Sequence, residues 1–98
     1  MGTRTLIPAE DACRIDVWLW RARFVKTRSL AAALVESGAV RLTHANVQVR
    51  LDKPSRLVRP GDRLLFVLNG ILHDLAVESV GVRRGPAAEA RALYRPMA

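Results

Sequence analysis

The sequence predicts an α+β fold: two N-terminal helices packed on a small, mostly antiparallel sheet, with a short C-terminal helix. Three observations lead there. Apolar residues recur at helical spacing from Ile15 to Ala22 and again from Leu30 to Val35. From Val40 to Leu51 the pattern changes to alternation, the period of a half-buried strand. After Pro86 the chain turns alanine-rich, which favours a final helix. Ninety-eight residues fit one domain, and a chain that is 50% hydrophobic is not disordered throughout.

Residues 1–13 show no period and read as a flexible arm. The first helix is expected to start at Asp16, whose carboxylate suits free amides and the positive end of a helix. Ile15, Trp18, Leu19 and Ala22 form its inward face, with Arg14, Arg21 and Arg23 largely off that face. Thr27 reads as the N-cap of a second helix over Arg28–Ser37, with Leu30, Ala31, Leu34 and Val35 as its buried stripe. Gly38 supplies the left-handed residue that ends it. Strands follow at Val40–Leu42 and Val47–Leu51, with Thr43–Asn46 as the turn between them. Pro60-Gly61-Asp62 marks another turn. Arg63–Leu68 reads as a buried strand, and Asn69-Gly70 is a strong hairpin signal. The returning strand is placed at about Ile71–Val82. Residues 83–98 are left as a short helix and tail, with Ala90, Leu93 and Tyr94 free to dock and Arg95-Pro96 ending the helix.

Charge is lopsided. Residues 14–63 hold 11 basic and four acidic side chains, so the whole net charge of +7 lies there. A concentrated basic field steers polyanions and is the electrostatic footprint of a nucleic-acid binder. Only Lys26 and Lys53 are lysines; arginine forks onto phosphate and stacks on bases, which suits RNA. Arg21, Arg23, Lys26 and Arg28 stand within eight residues without an intervening acid. A solvated helix surface prefers mixed signs. Lys26 and Arg28 also sit where a helix start offers free amides to an anion.

Signals for chemistry are missing. His44 and His73 are too isolated for a metal site, and no Cys/His pair has ligand spacing. Glu36 and Glu78 lack an acid–base partner. The serines lack a nucleophile elbow, and there is no glycine-rich phosphate loop. No enzyme, metal or cofactor is expected. The single cysteine, Cys13, cannot form an internal disulfide, which points to a reducing, cytoplasmic compartment. No run approaches a membrane span. A monomer is the expected state.

The residues resemble a known module. Arg14-Ile15-Asp16, Thr27-Arg28, Gly38-Ala39-Val40 and Gly61-Asp62 match the RNA-binding domain type of small-subunit ribosomal protein four, the αL RNA-binding motif. A narrower resemblance, through Asp16–Arg28 and Arg83–Ala90 with Leu93-Tyr94, is to the bacterial heat-shock protein fifteen family. It spans about residues 14–94. The resemblance implies an RNA-binding domain over residues 14–82 and a non-catalytic, ribosome-associated protein. Members of that family bind ribosomal RNA of the large ribosomal subunit and act in rescue or recycling of subunits blocked by a nascent chain on tRNA. By the same implication, RNA contacts fall on Arg14, Arg23, Lys26, Thr27, Arg28, Arg41, Lys53, Ser55 and Arg56; the charge run adds Arg21. Asp16 reads as structural. The family's short Asn-Gly turn is replaced here by Thr43-His44-Ala45-Asn46, so a longer hairpin path is expected. Longer members carry a lysine-rich C-terminal extension with no counterpart in these residues.

Two other readings compete. A detached RNA-targeting domain of an RNA-modifying enzyme, such as a pseudouridine synthase, would share the motif. A basic protein for DNA or acidic partners would share the charge, but a third packed helix is expected there instead of a sheet. Trp18 belongs to the core. Trp20 points elsewhere, either onto Phe24 or toward RNA or a partner.

Overall fold

The computed structural model describes residues 11–97. The elements run β1 (Cys13–Arg14), α1 (Ile15–Arg21), α2 (Arg28–Glu36), β2 (Val40–His44), β3 (Val47–Arg50), β4 (Leu57–Val58), β5 (Arg63–Leu68), β6 (Ile71–Val77), α3 (Ala87–Arg91) and β7 (Tyr94–Pro96). An antiparallel sheet has the order β3-β2-β5-β6-β7, and β1 pairs β4 in a second, two-stranded ribbon. The fold is α+β, as the pattern of periods predicts.

One face of the larger sheet carries the core. Val40, Leu42, Leu64, Phe66, Leu75 and Val77 point from it toward Ile15, Trp18 and Leu19 of α1 and Ala31 and Val35 of α2. All four residues of the expected α1 face are buried. The α2 stripe is narrower than expected: Ala31 and Val35 are buried, Leu34 is half-buried and Leu30 is 52% exposed. Seven residues of α1 cannot cover the whole apolar arc of α2. Phe24, just beyond α1, joins an aromatic cluster with Phe66 at 5.2 Å, Tyr94 at 4.9 Å and Trp18 at 6.1 Å.

Several boundaries differ from expectation. The arm placed at 1–13 lies largely outside the described residues, and Cys13 already belongs to β1, opposite Val58. Thr43 and His44 are strand residues, paired with Gln48 and Val47. The hairpin turn is only Ala45-Asn46, with φ of 51° and 67°. Both central residues of this turn type need positive φ, so the path is short after all. Asn69-Gly70 makes the expected turn of the same sign. The returning strand stops at Val77, where Asp62 and Leu93 carbonyls take the Val77 and Glu78 amides. Tyr94–Pro96 is an edge strand against β6 and not a helix end. Proline fits there because an edge strand has amides with no ladder partner. Trp20 does not pack on Phe24; the Arg84 guanidinium lies 5.9 Å from its ring centre.

Candidate nucleic-acid interface

The two helix junctions position the cations. Thr27 caps α2: its Oγ1 accepts the Leu30 amide at 3.0 Å, and no acid occupies the first turn. Lys26, Thr27 and Arg28 are exposed at this helix start. Amide dipoles and two cations there favour an anion together.

A second group gathers at the other end of α2. The two-residue turn sets the β2–β3 register, and that register places Arg41 opposite Arg50. Like charges directly opposite destabilise a sheet, so this pair is not there for stability. The Arg50 side chain passes close to Gly38, where a β-carbon would meet its Cδ at 3.5 Å. Arg50 also lines a shallow cleft of about 170 Å³ with Lys53, Ser55 and Arg56. The loop carrying those residues is fastened to the start of α1, since the Ile15 amide donates to the Arg56 carbonyl at 2.8 Å. Thus α2, about 13 Å long at the standard helical rise, separates one basic group at its start from another at its end.

Three of the expected cations serve the frame. Arg14 grips Asp16 through two bonds of 3.0 and 2.9 Å, and Asp16 is buried and accepts the Val17 amide as well. Arg21 donates to the Val80 and Gly81 carbonyls at 3.2 and 2.9 Å. It follows Trp18 by one helical turn, so it falls over the segment that Trp18 docks against, not over open solvent. Arg23 donates to the Gly85 carbonyl at 2.6 Å. Among the described residues, Lys26, Arg28, Arg41, Arg50, Lys53 and Arg56 form no ion pair. Three arginines elsewhere are matched: Arg63 with Asp74, Arg83 with Glu89, Arg95 with Glu78; Arg59 and Arg91 also form no ion pair among the described residues. Arg50, not among the expected contacts, joins this basic group. Its strand position gave no special signal until the turn fixed the register that sets it beside Arg41.

The arrangement offers charge and hydrogen-bond donors. Among the described residues, no three His, Cys, Asp or Glu side chains gather as a metal site would require. His44 Nδ1 lies 2.6 Å from the buried Asp62, which also accepts the Arg59 amide; both serve the Pro60-Gly61 turn. Burial pushes the Cys13 thiol up to about 11, against the opposing pull of the Arg21 cation. A thiol that stays protonated at neutral pH is a poor nucleophile. No helix among the described residues is long and apolar enough to cross a membrane.

Comparison with known proteins identifies the fold and its relatives. The S4 domain model matches residues 13–42, the stretch holding α1, α2 and the start of β2. A solved structure, the trimeric structure of Vibrio cholerae heat shock protein 15, superposes with a TM-score of 0.77 at 37% identity, covering 89% of this chain and 83% of that one. The chain belongs to the heat shock protein 15 family. Heat shock protein 15 of Escherichia coli (strain K12) is 39% identical over 87% of this chain, and the Haemophilus influenzae homologue 36% identical over 89%. The chain spans only 60% and 63% of the lengths of those two relatives.

Proposed function

We propose that this chain binds structured RNA without catalysis, and that its ligand is ribosomal RNA of the large ribosomal subunit. One observation carries the reading: two exposed basic groups, Lys26 with Arg28 and Arg41 with Arg50, Lys53 and Arg56, lack any acidic partner among the described residues. Arg14, Arg63, Arg83 and Arg95 are matched by carboxylates, whereas an external polyanion is the natural complement of these clustered cations. Thr27 and Ser55 add hydrogen-bond donors to phosphate oxygens. Arg14, Arg21 and Arg23 support the site by fixing the loops that hold it. In this reading the protein acts in the cytoplasm, in the rescue or recycling of subunits blocked by a nascent chain on tRNA. It acts as a monomer; the Vibrio cholerae relative was solved as a trimer, and sedimentation of this chain at micromolar concentration decides between the two states.

The test is a salt titration of binding to large-subunit ribosomal RNA. Each neutralised phosphate lowers log affinity by about 0.7–0.9 per unit of log salt. Arg28→Glu should weaken binding and flatten that slope by at least one contact. Equal binding to duplex DNA at physiological salt, or an unchanged slope in the variant, rejects the reading. Crosslinking in cells with sequencing of the attached RNA then identifies the particle.

A further inference from the structure

The C-terminal segment was expected to be a helix and tail, yet its arginines reach back to the junction between α1 and α2. Helix α1 ends without glycine. Arg23 takes φ of 65°, the Arg23 amide donates to the Trp20 carbonyl at 3.1 Å, and the Phe24 amide donates to the Leu19 carbonyl at 3.1 Å. This is the paired-bond helix stop normally built on glycine. A side chain in that conformation costs about 1–2 kcal/mol. Something outside the helix must hold it.

Arg84 is in the right place. Its Nε donates to the Trp20 carbonyl at 3.0 Å, its plane lies over the Trp20 ring at 5.9 Å, and its Nη2 sits 3.5 Å from the Val25 carbonyl. Those two carbonyls bracket the turn. The negative end of α1 also favours a cation there. Arg23 completes the clasp from the other side through the Gly85 carbonyl. The segment is itself anchored. Arg83 pairs with Glu89 of α3, and Gly85 is buried so close to that glutamate that a β-carbon would collide with its carboxylate.

We propose that Arg84 is a positioning residue for the loop bearing Lys26 and Thr27: it fixes the turn so that Lys26, Thr27 and Arg28 meet phosphate without first being ordered. This rests on the RNA-binding reading. An unclasped loop must lose its freedom on association, and that loss weakens binding without changing the number of phosphates met.

The experiment compares the unaltered chain with Arg84→Ala and Arg84→Gln. Readouts are binding to large-subunit ribosomal RNA over a potassium chloride series, amide exchange of Phe24–Arg28, and thermal unfolding to confirm that each variant folds. Arg84→Ala should lose roughly tenfold in affinity, keep the parent salt slope, and exchange faster at Phe24–Arg28. Arg84→Gln keeps an N–H for the Trp20 carbonyl without charge and should regain part of the affinity and of the protection. A salt slope shallower by about 0.7–0.9 in both variants, with glutamine no better than alanine, would show Arg84 touching phosphate directly and overturn the proposal. Unchanged affinity with unchanged exchange overturns it too. If the unaltered chain does not bind the RNA, the functional reading itself fails, a result distinct from either of these.

Discussion

Helices α1 and α2 both stop in the left-handed conformation, but by different means. Helix α2 ends on Gly38, with φ of 80°. The residue needs no help, because glycine lacks the β-carbon that makes this conformation unfavourable. Helix α1 ends on Arg23, with φ of 65°, and relies on bonds to a segment some sixty residues further along the chain. The first stop is local and written in one residue. The second is tertiary, and it lies beside Lys26 and Arg28, one half of the proposed interface. A glycine at Arg23 would give the turn more freely but would remove the handle by which the C-terminal segment holds the loop.

The largest test of this contrast is Trp18→Ala. Trp18 is fully buried and its Nε1 donates to the Ser79 carbonyl at 2.9 Å, so it docks α1 on the distant segment. Urea unfolding should show a loss of about 3–5 kcal/mol, and amide exchange should quicken at Phe24–Thr27 before Ser37–Ala39. Next comes Gly38→Ala, which puts a β-carbon on a left-handed residue with only ordinary contact to Arg50. A loss of about 1–2 kcal/mol is expected by the same measurement. Thr27→Ala removes the cap at the start of α2 and should lower stability by about 1 kcal/mol, seen as a shift in the unfolding midpoint with an unchanged urea dependence.

Arg23→Gly sharpens the comparison most directly. Relief of backbone strain and loss of the Gly85 bond oppose each other, so stability should stay within about 1 kcal/mol of the parent. RNA affinity should nevertheless fall, because the loop is freed. A variant that is both stable and fully competent for RNA would show the arginine stop to be incidental. The smallest effect is expected far from both helix ends. Hydrogen bonds from Arg63 hold the Asp74 carboxyl below its ordinary range. Its folded value is depressed, so its contribution is complete above the ordinary carboxylate range and is lost as pH falls through the lower folded value. Asp74→Asn should therefore differ slightly from the parent at neutral pH, and the difference should vanish on acidification in midpoint measurements.

What could be read from residues alone follows the range of the interaction. The buried face of α1, the Thr27 cap, the Gly38 stop and the Asn69-Gly70 hairpin each rest on neighbours within a few positions, and each is where the pattern placed it. Leu30 looked like core because the helical period includes it, but burial depends on how much a short α1 can cover. The turn is expected over Thr43–Asn46, and nothing narrows it to Ala45-Asn46, since alanine is a poor left-handed residue; the β2–β3 pairing imposes positive φ on it. The candidate site divides in the same way. Lys26 and Arg28 stand out in the charge run. The pairing of Arg41 with Arg50, and the diversion of Arg14, Arg21 and Arg23 to the frame, follow only from contacts across the fold.

The sequence by itself determined the type of fold, the capped start of α2, the glycine stop and the surplus of positive charge, because propensity, capping and charge are properties of short stretches; α1 starts at Ile15 after Arg14, one residue before the expected Asp16. Only the tertiary structure decided which cations stay open to a ligand and how α1 ends. A guanidinium takes whatever carbonyl or carboxylate the fold brings within reach, and that partner can lie anywhere along the chain.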